Sequence, residues 1–210
     1  MRGLAGFWLA ACATFSTGAT AAPTILVMGD SLSAEYGVAR GKGWVALMEQ
    51  RLKEKQIDYN VVNASISGET TSGGFARLPA ELARTKPAIV IIELGANDGL
   101  RGLPLPAARG NLENMILLSQ KAGAKVVLVG MQIPPNYGRD YTEKFKALFP
   151  EVAQKYKTTL APFMFDGFAD TPEMFQPDGI HPATQAHTRI LENIWPAVEP
   201  VLNKPAKGKR

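Results

Sequence analysis

Three apolar runs constrain this chain most: Thr24 to Met28 (TILVM), Ala88 to Leu94 (AIVIIEL) and Lys125 to Met131 (KVVLVGM). None alternates apolar with polar residues, the pattern of a strand with one face in water. Each reads as a strand buried on both faces, and a sheet of such strands needs helices over both faces. The intervening sequence supplies them. Residues 43–56 place Trp44, Leu47, Met48 and Leu52 at helical spacing. Thr71 to Arg84 does the same with Phe75, Leu78 and Leu82, and residues 105–122 with Leu112, Met115, Ile116 and Leu118. Tyr59 to Ala64 reads as a further strand. A helix is expected over 139–157 around Phe145, Leu148, Val152 and Tyr156, interrupted or restarted at Pro150. Thr159 to Phe165 is a weaker fifth strand, with Pro162 inside it. Residues 181–202 form the last helix, carrying Ile190, Leu191, Ile194 and Trp195. Strands alternating with helices predict an α/β fold: βαβ units, a parallel sheet and helices on both faces. No repeat or interdomain linker interrupts the pattern.

The N-terminus stands outside it. Residues 1–21 read as a secretory signal: Arg2 at the positive end, an apolar run from Leu4 to Phe15, then Ala19-Thr20-Ala21 as a cleavage site. The strongly apolar part falls short of the roughly 20 residues a membrane span needs, which disfavours an uncleaved anchor. Leu9-Ala10-Ala11-Cys12 also has the form of a lipoprotein box, although the apolar segment before it is very short. The expected organisation is therefore a signal at 1–21, one domain at 22–203 and a basic tail at 204–210. The protein is expected to be periplasmic or secreted.

Composition narrows the chemistry. The net charge is +4, and Lys204, Lys207, Lys209 and Arg210 crowd the tail, so no basic nucleic-acid groove is implied. Among 210 residues there are one cysteine and two histidines, which leaves no internal disulfide and no Cys/His zinc cluster.

In a parallel sheet the site lies beyond the C-terminal ends of the strands. The first strand ends in Gly29-Asp30-Ser31-Leu32-Ser33, where a serine hydroxyl is exposed and its own N–H can face an oxyanion. The second is followed by Asn63-Ala64-Ser65-Ile66-Ser67-Gly68-Glu69-Thr70, and Gly68 offers an unobstructed N–H. The third ends in Gly95-Ala96-Asn97-Asp98, where the Asn97 amide can donate. Asp178-Gly179-Ile180-His181-Pro182 precedes the last helix, and an aspartate three residues before a histidine can fix its tautomer. Each piece has an ordinary alternative. A GDS tripeptide is a common turn, Asn97-Asp98 suits a helix cap, and Gly68 suits a turn. Asp178 and His181 also suit a metal pair or a capped helix start. His187 lacks a carboxylate at matching spacing and reads as a surface or packing residue. Asp30 reads as bonding to neighbouring backbone.

Taken in order, GDSLS (29–33), Gly68, GAND (95–98) and DGIHP (178–182) resemble the GDSL, or SGNH, family of serine hydrolases. With GDSLSA (29–34) and ISGETT (66–71), the chain is most similar to the bacterial periplasmic acyl-CoA thioesterase, lysophospholipase and arylesterase group. The resemblance implies a three-layer α/β/α fold with a flavodoxin-like, five-stranded parallel sheet. It implies Ser31 as nucleophile, His181 and Asp178 as its triad partners, and an oxyanion hole made by Ser31, Gly68 and Asn97. It implies no cofactor and no metal.

The expected substrate is a small-molecule acyl ester or thioester. No nucleic acid is involved, membrane contact is at most peripheral, and a monomer is expected. Met131 to Pro135 and the cluster Phe163, Met164, Phe165, Phe168, Met174 and Phe175 are either an acyl groove or core. A carbohydrate acetylesterase is the alternative within the fold, and it would favour a shallow polar pocket. Two other classes are weaker. A phosphate-cradling binding module would need the glycine density of a GxGxxG or Walker loop. A metal hydrolase would use Asp178 and His181 and lose activity to a chelator.

Overall fold

The computed structural model describes residues 22–202. Five strands form one all-parallel sheet: β1 (Thr24–Gly29), β2 (Asn60–Asn63), β3 (Ile89–Glu93), β4 (Lys125–Val129) and β5 (Thr159–Ala161). Their spatial order is β2-β1-β3-β4-β5. The register pairs Val27 with both Asn63 and Ile91, and Leu128 with both Ile92 and Leu160. The helices are α1 (Trp44–Glu54), α2 (Thr71–Thr85), α3 (Ala96–Leu100), α4 (Leu105–Lys121), α5 (Arg139–Lys155) and α6 (Ala186–Val198). α1 packs on α6 over one face of the sheet, while α4 packs between α2 and α5 over the other. This is the expected three-layer α/β/α fold with a flavodoxin-like sheet. β3 is buried along its whole length, as its apolar run predicted. The signal at 1–21 and the tail at 204–210 lie outside the described residues.

Several boundaries differ from the sequence expectation. α5 runs unbroken through Pro150. An interior proline costs about 3 kcal/mol, but Phe145, Leu148, Phe149 and Val152 are all buried on one face of this helix. Each is worth roughly 1.5–3 kcal/mol. Pro150 itself is exposed, so the Lys146 carbonyl that loses its donor lies on the solvent side. β5 stops at Ala161, because Pro162 cannot donate to the ladder. Residues 181–185 are not part of α6. His181 precedes Pro182, which disfavours helical backbone, and its carbonyl is taken by the Gln176 N–H at 2.7 Å. The short α3 and a 3₁₀ turn at Pro135–Tyr137 have too few residues to show a period.

His187 is a packing residue with a defined task. It is buried, and its Nδ1 accepts the Trp44 N–H at 3.2 Å. Trp44 opens α1, whose N-cap Gly43 has no side chain to offer. The imidazole of α6 therefore caps α1, and burial pushes its pKa down.

Two glycines separate packing from propensity. Nothing lies within 4 Å of where a Cβ on Gly110, inside α4, would point. At Gly130, just past β4, a Cβ would stand 2.1 Å from the Pro162 carbonyl oxygen. Gly110→Ala should stabilise the protein by about 0.5–1 kcal/mol. Gly130→Ala should destabilise it by about 2 kcal/mol or more, because the obstacle is backbone. Thermal melts of the two variants check this; equal effects of the same sign would contradict it.

Candidate active site

β1 passes directly into a tight turn in which the N–H groups of Ser33 and Ala34 both bond to the Asp30 carbonyl, at 3.2 and 3.0 Å. Ser31 stands on this turn. Its Oγ lies 2.9 Å from His181 Nε2, and His181 Nδ1 lies 2.7 Å from Asp178 Oδ2. A carboxylate only accepts, so Nδ1 carries the hydrogen and Nε2 is left to accept from the Ser31 hydroxyl. Asp178 Oδ1 also accepts the N–H groups of Ile180 (2.9 Å) and His181 (3.0 Å). These backbone bonds, with the imidazole behind them, hold the Asp178 carboxyl at about 2. It is thus ionised through the neutral range.

α3 sets Asn97 beside the same turn. Asn97 Nδ2 donates to Asp30 Oδ2 at 3.0 Å, while Asp30 Oδ1 accepts the Leu32 N–H at 2.9 Å. Because a carboxylate cannot donate, this contact fixes which end of the Asn97 amide is nitrogen, and it leaves the second N–H free. Asp98, next in sequence, anchors α3: it accepts the backbone N–H and the hydroxyl of Thr71 at 2.8 and 2.6 Å. Gly68 follows β2 with φ +79°. Its segment is tied to the end of β1 by Ile66 N–H to Gly29 O (3.0 Å), and Arg101 donates to the Gly68 carbonyl (3.0 Å). The N–H groups of Ser31 and Gly68 have no acceptor among the described residues.

Glu93 was not singled out from the sequence. It ends β3, is 1% exposed, and accepts the Ser33 hydroxyl at 2.6 Å beneath the Ser31 turn. Ser33 in turn accepts Trp44 Nε1 at 3.1 Å. Burial, with the Asp30 carboxylate nearby, pushes the Glu93 carboxyl well above its ordinary range. Asp30 is also raised, to about 6, chiefly by burial. A charged residue within an otherwise apolar strand was the available signal.

Ser31, Asn97 and His181 line one cavity of about 830 Å³. Its other walls include Leu100, Ile133, Pro134, Phe163, Phe165 and Phe168. Of the aromatic and methionine cluster, Phe163, Phe165, Phe168 and Phe175 reach this cavity, whereas Met164 is fully buried in the core and Met174 packs against it. Asp178 and Gly68 do not line it; Asp178 stands behind His181. Among the described residues no three His, Cys, Asp or Glu side chains are grouped to hold a metal ion.

Residues 27–189 match the GDSL-like lipase/acylhydrolase family. The chain belongs to that family. This hydrolase is 52% identical over 182 residues to the esterase TesA of Pseudomonas aeruginosa, spanning 87% of this chain and 90% of that protein. It is 39% identical over 185 residues to the Escherichia coli protein named thioesterase 1/protease 1/lysophospholipase L1, spanning 88% of each. Its fold matches the crystal structure of a psychrotrophic esterase, EstA, from Pseudoalteromonas sp. with a TM-score of 0.80 at 38% identity, covering 84% of this chain and 97% of that one. The family expected from the motifs is the one found, and the protein is an enzyme of the carboxylic ester hydrolase class.

The buried acid of this hydrolase yields a test of stability. Glu93 holds its proton in the fold at pH values where the unfolded chain has lost it. Its contribution is therefore whole below its ordinary value of 4.5 and is lost as pH rises towards the raised one. In Glu93→Gln this term is absent. The melting temperature of the variant relative to wild type should climb as pH rises above the ordinary carboxyl range. A pH-independent difference would show that Glu93 is ionised in the fold.

Proposed function

We propose that Ser31, His181 and Asp178 are the catalytic triad, and that the Ser31 N–H, the Gly68 N–H and the Asn97 amide form the oxyanion hole. The observation that carries this reading is the unbroken line from Ser31 Oγ through His181 (2.9 Å) to Asp178 (2.7 Å) at the wall of a cavity. Nε2 takes the Ser31 proton as Oγ bonds to the acyl carbon, and the carbonyl electron pair moves onto oxygen. The three donors hold that oxyanion. As it collapses, the bond to the alkoxide or thiolate breaks and the leaving group receives the Nε2 proton. Water then repeats the sequence on the acyl-enzyme and regenerates the Ser31 hydroxyl. Asp178 stays ionised throughout, holding the imidazolium.

The proposed substrates are esters and thioesters of apolar acyl chains, including aryl esters, lysophospholipids and acyl-CoA. An apolar wall of Phe163, Phe165, Ile133 and Leu100 favours a chain longer than acetyl. The names thioesterase, lysophospholipase and esterase of the relatives support the same range. The carbohydrate acetylesterase alternative calls for a shallow polar pocket, and the apolar side chains of Leu100, Ile133, Phe163 and Phe165 weigh against it. We further propose that residues 1–21 are a cleaved export signal, that 22–203 are the catalytic domain with 204–210 as a tail, and that the enzyme works in the periplasm or outside the cell.

A fluorophosphonate probe should label Ser31 covalently, and Ser31→Ala should abolish both labelling and turnover; a modified Ser33 or Ser67 would overturn the assignment. Asn97→Ala should lower kcat by about 100- to 1000-fold with little change in KM. A rise in KM with kcat intact would make Asn97 a binding residue instead. Octanoyl p-nitrophenyl ester should have a higher kcat/KM than the acetyl ester, and the opposite order would favour the acetylesterase reading.

A further inference from the structure

Asp178 and His181 are mounted on a segment without helix or strand of its own. Residues 174–183 fold back on themselves. Phe175 and Pro182 form an antiparallel bridge, Ala183 N–H bonds to Met174 O at 2.8 Å, and Gln176 N–H bonds to His181 O at 2.7 Å. These contacts set Asp178 against His181. They do not set either against Ser31, which belongs to the turn after β1.

We infer that Gln176 is a positioning residue that fastens the segment bearing His181 to the turn bearing Ser31. Its side-chain nitrogen has two hydrogens and two acceptors: the Tyr36 carbonyl at 2.9 Å and the Pro182 carbonyl at 3.0 Å. One acceptor lies on each of the two segments, 140 residues apart in the chain for the first. Tyr36 N–H returns to the Ser31 carbonyl at 3.4 Å. A closed circuit results: Ser31 to Tyr36, Tyr36 to Gln176, Gln176 to His181, and His181 back to Ser31. The Tyr36 ring completes the mount by lying on the imidazole, with ring centroids 4.3 Å apart. Gly37 makes room for it. Its φ is +66°, and a Cβ there would stand 2.1 Å from Gln176 Oε1.

The consequence is kinetic. Both segments are at the surface, where one hydrogen bond adds little net stability. A displacement of about 1 Å between base and nucleophile, however, can cost on the order of 100-fold in rate. Gln176 therefore acts on turnover through His181; it is not among the residues that line the cavity holding Ser31, nor part of the core.

This inference rests on His181 being the base, so the experiment separates the two. Gln176→Ala, Gln176→Glu, His181→Ala and the double variant Gln176→Ala/His181→Ala are assayed with a p-nitrophenyl ester, and wild type and the single variants with a fluorophosphonate. Gln176→Glu keeps the shape but presents oxygens that cannot donate to the two carbonyls, so it serves if Gln176→Ala folds poorly. Both Gln176 variants should lower kcat and the Ser31 labelling rate by about tenfold or more, with KM and melting temperature little changed. In the His181→Ala background, Gln176→Ala should cost nothing further, because its effect passes through the imidazole. The same loss in both backgrounds, or a loss confined to KM, would overturn the inference, as would full activity in Gln176→Glu. Full activity in His181→Ala would overturn the parent reading and this one with it. Inactive His181→Ala beside fully active Gln176 variants would overturn this one alone.

Discussion

Beneath the turn that carries Ser31, the chain packs Gly29, Ser33 and Glu93 into contact. A Cβ on Gly29 would lie 2.8 Å from both the Glu93 carboxyl and the Ser33 side chain, so this crossing tolerates no side chain. Glu93 anchors Ser33, Ser33 anchors the Trp44 indole, and the turn between them holds Ser31 at the strand end. A buried polar network of this kind rigidifies when each member is satisfied and is costly when one is not. The rest of the site is referred to this point. Asp30, on the same turn, orients Asn97 from α3, and Asp98 ties α3 to α2.

The carboxylates around the turn show how environment divides labour among like groups. Asp178 is partly exposed and receives two backbone N–H groups, so it is held ionised and can support a positive imidazole. Asp30 and Glu93 are buried side by side, and burial favours their neutral forms. Of that pair Asp30 has two close donors, the Leu32 N–H and the Asn97 amide, which favour its charge, while Glu93 accepts one short bond from the Ser33 hydroxyl and a long one, at 3.4 Å, from the Asp30 N–H. Ionising both would set two charges against each other in a place that water does not reach.

The sequence made the sheet legible because strands buried on both faces leave an unmistakable run of apolar residues, and their glycine-rich ends mark where loops gather. Motif residues close in sequence, such as Asp178 and His181, were legible for the same local reason. What escaped was held by distant partners or by packing. Pro150 lies inside a helix because a buried aromatic face outweighs one lost hydrogen bond. Glu93 looked like part of an apolar strand because its partner Ser33 is 60 residues away. Gln176 carries no signal at all: its significance is in two carbonyls, and every residue has one.

Phe175 faces the cavity and also pairs with Pro182, the neighbour of His181. One residue thus serves as wall and as mount. Reshaping the cavity at this position alters its size and the seat of His181 together, so the two cannot be changed separately there. Ile133 and Phe163 reach the same cavity from the loops after β4 and β5, outside the segment that carries His181. Those two positions are where the cavity can be reshaped without disturbing the mount of His181.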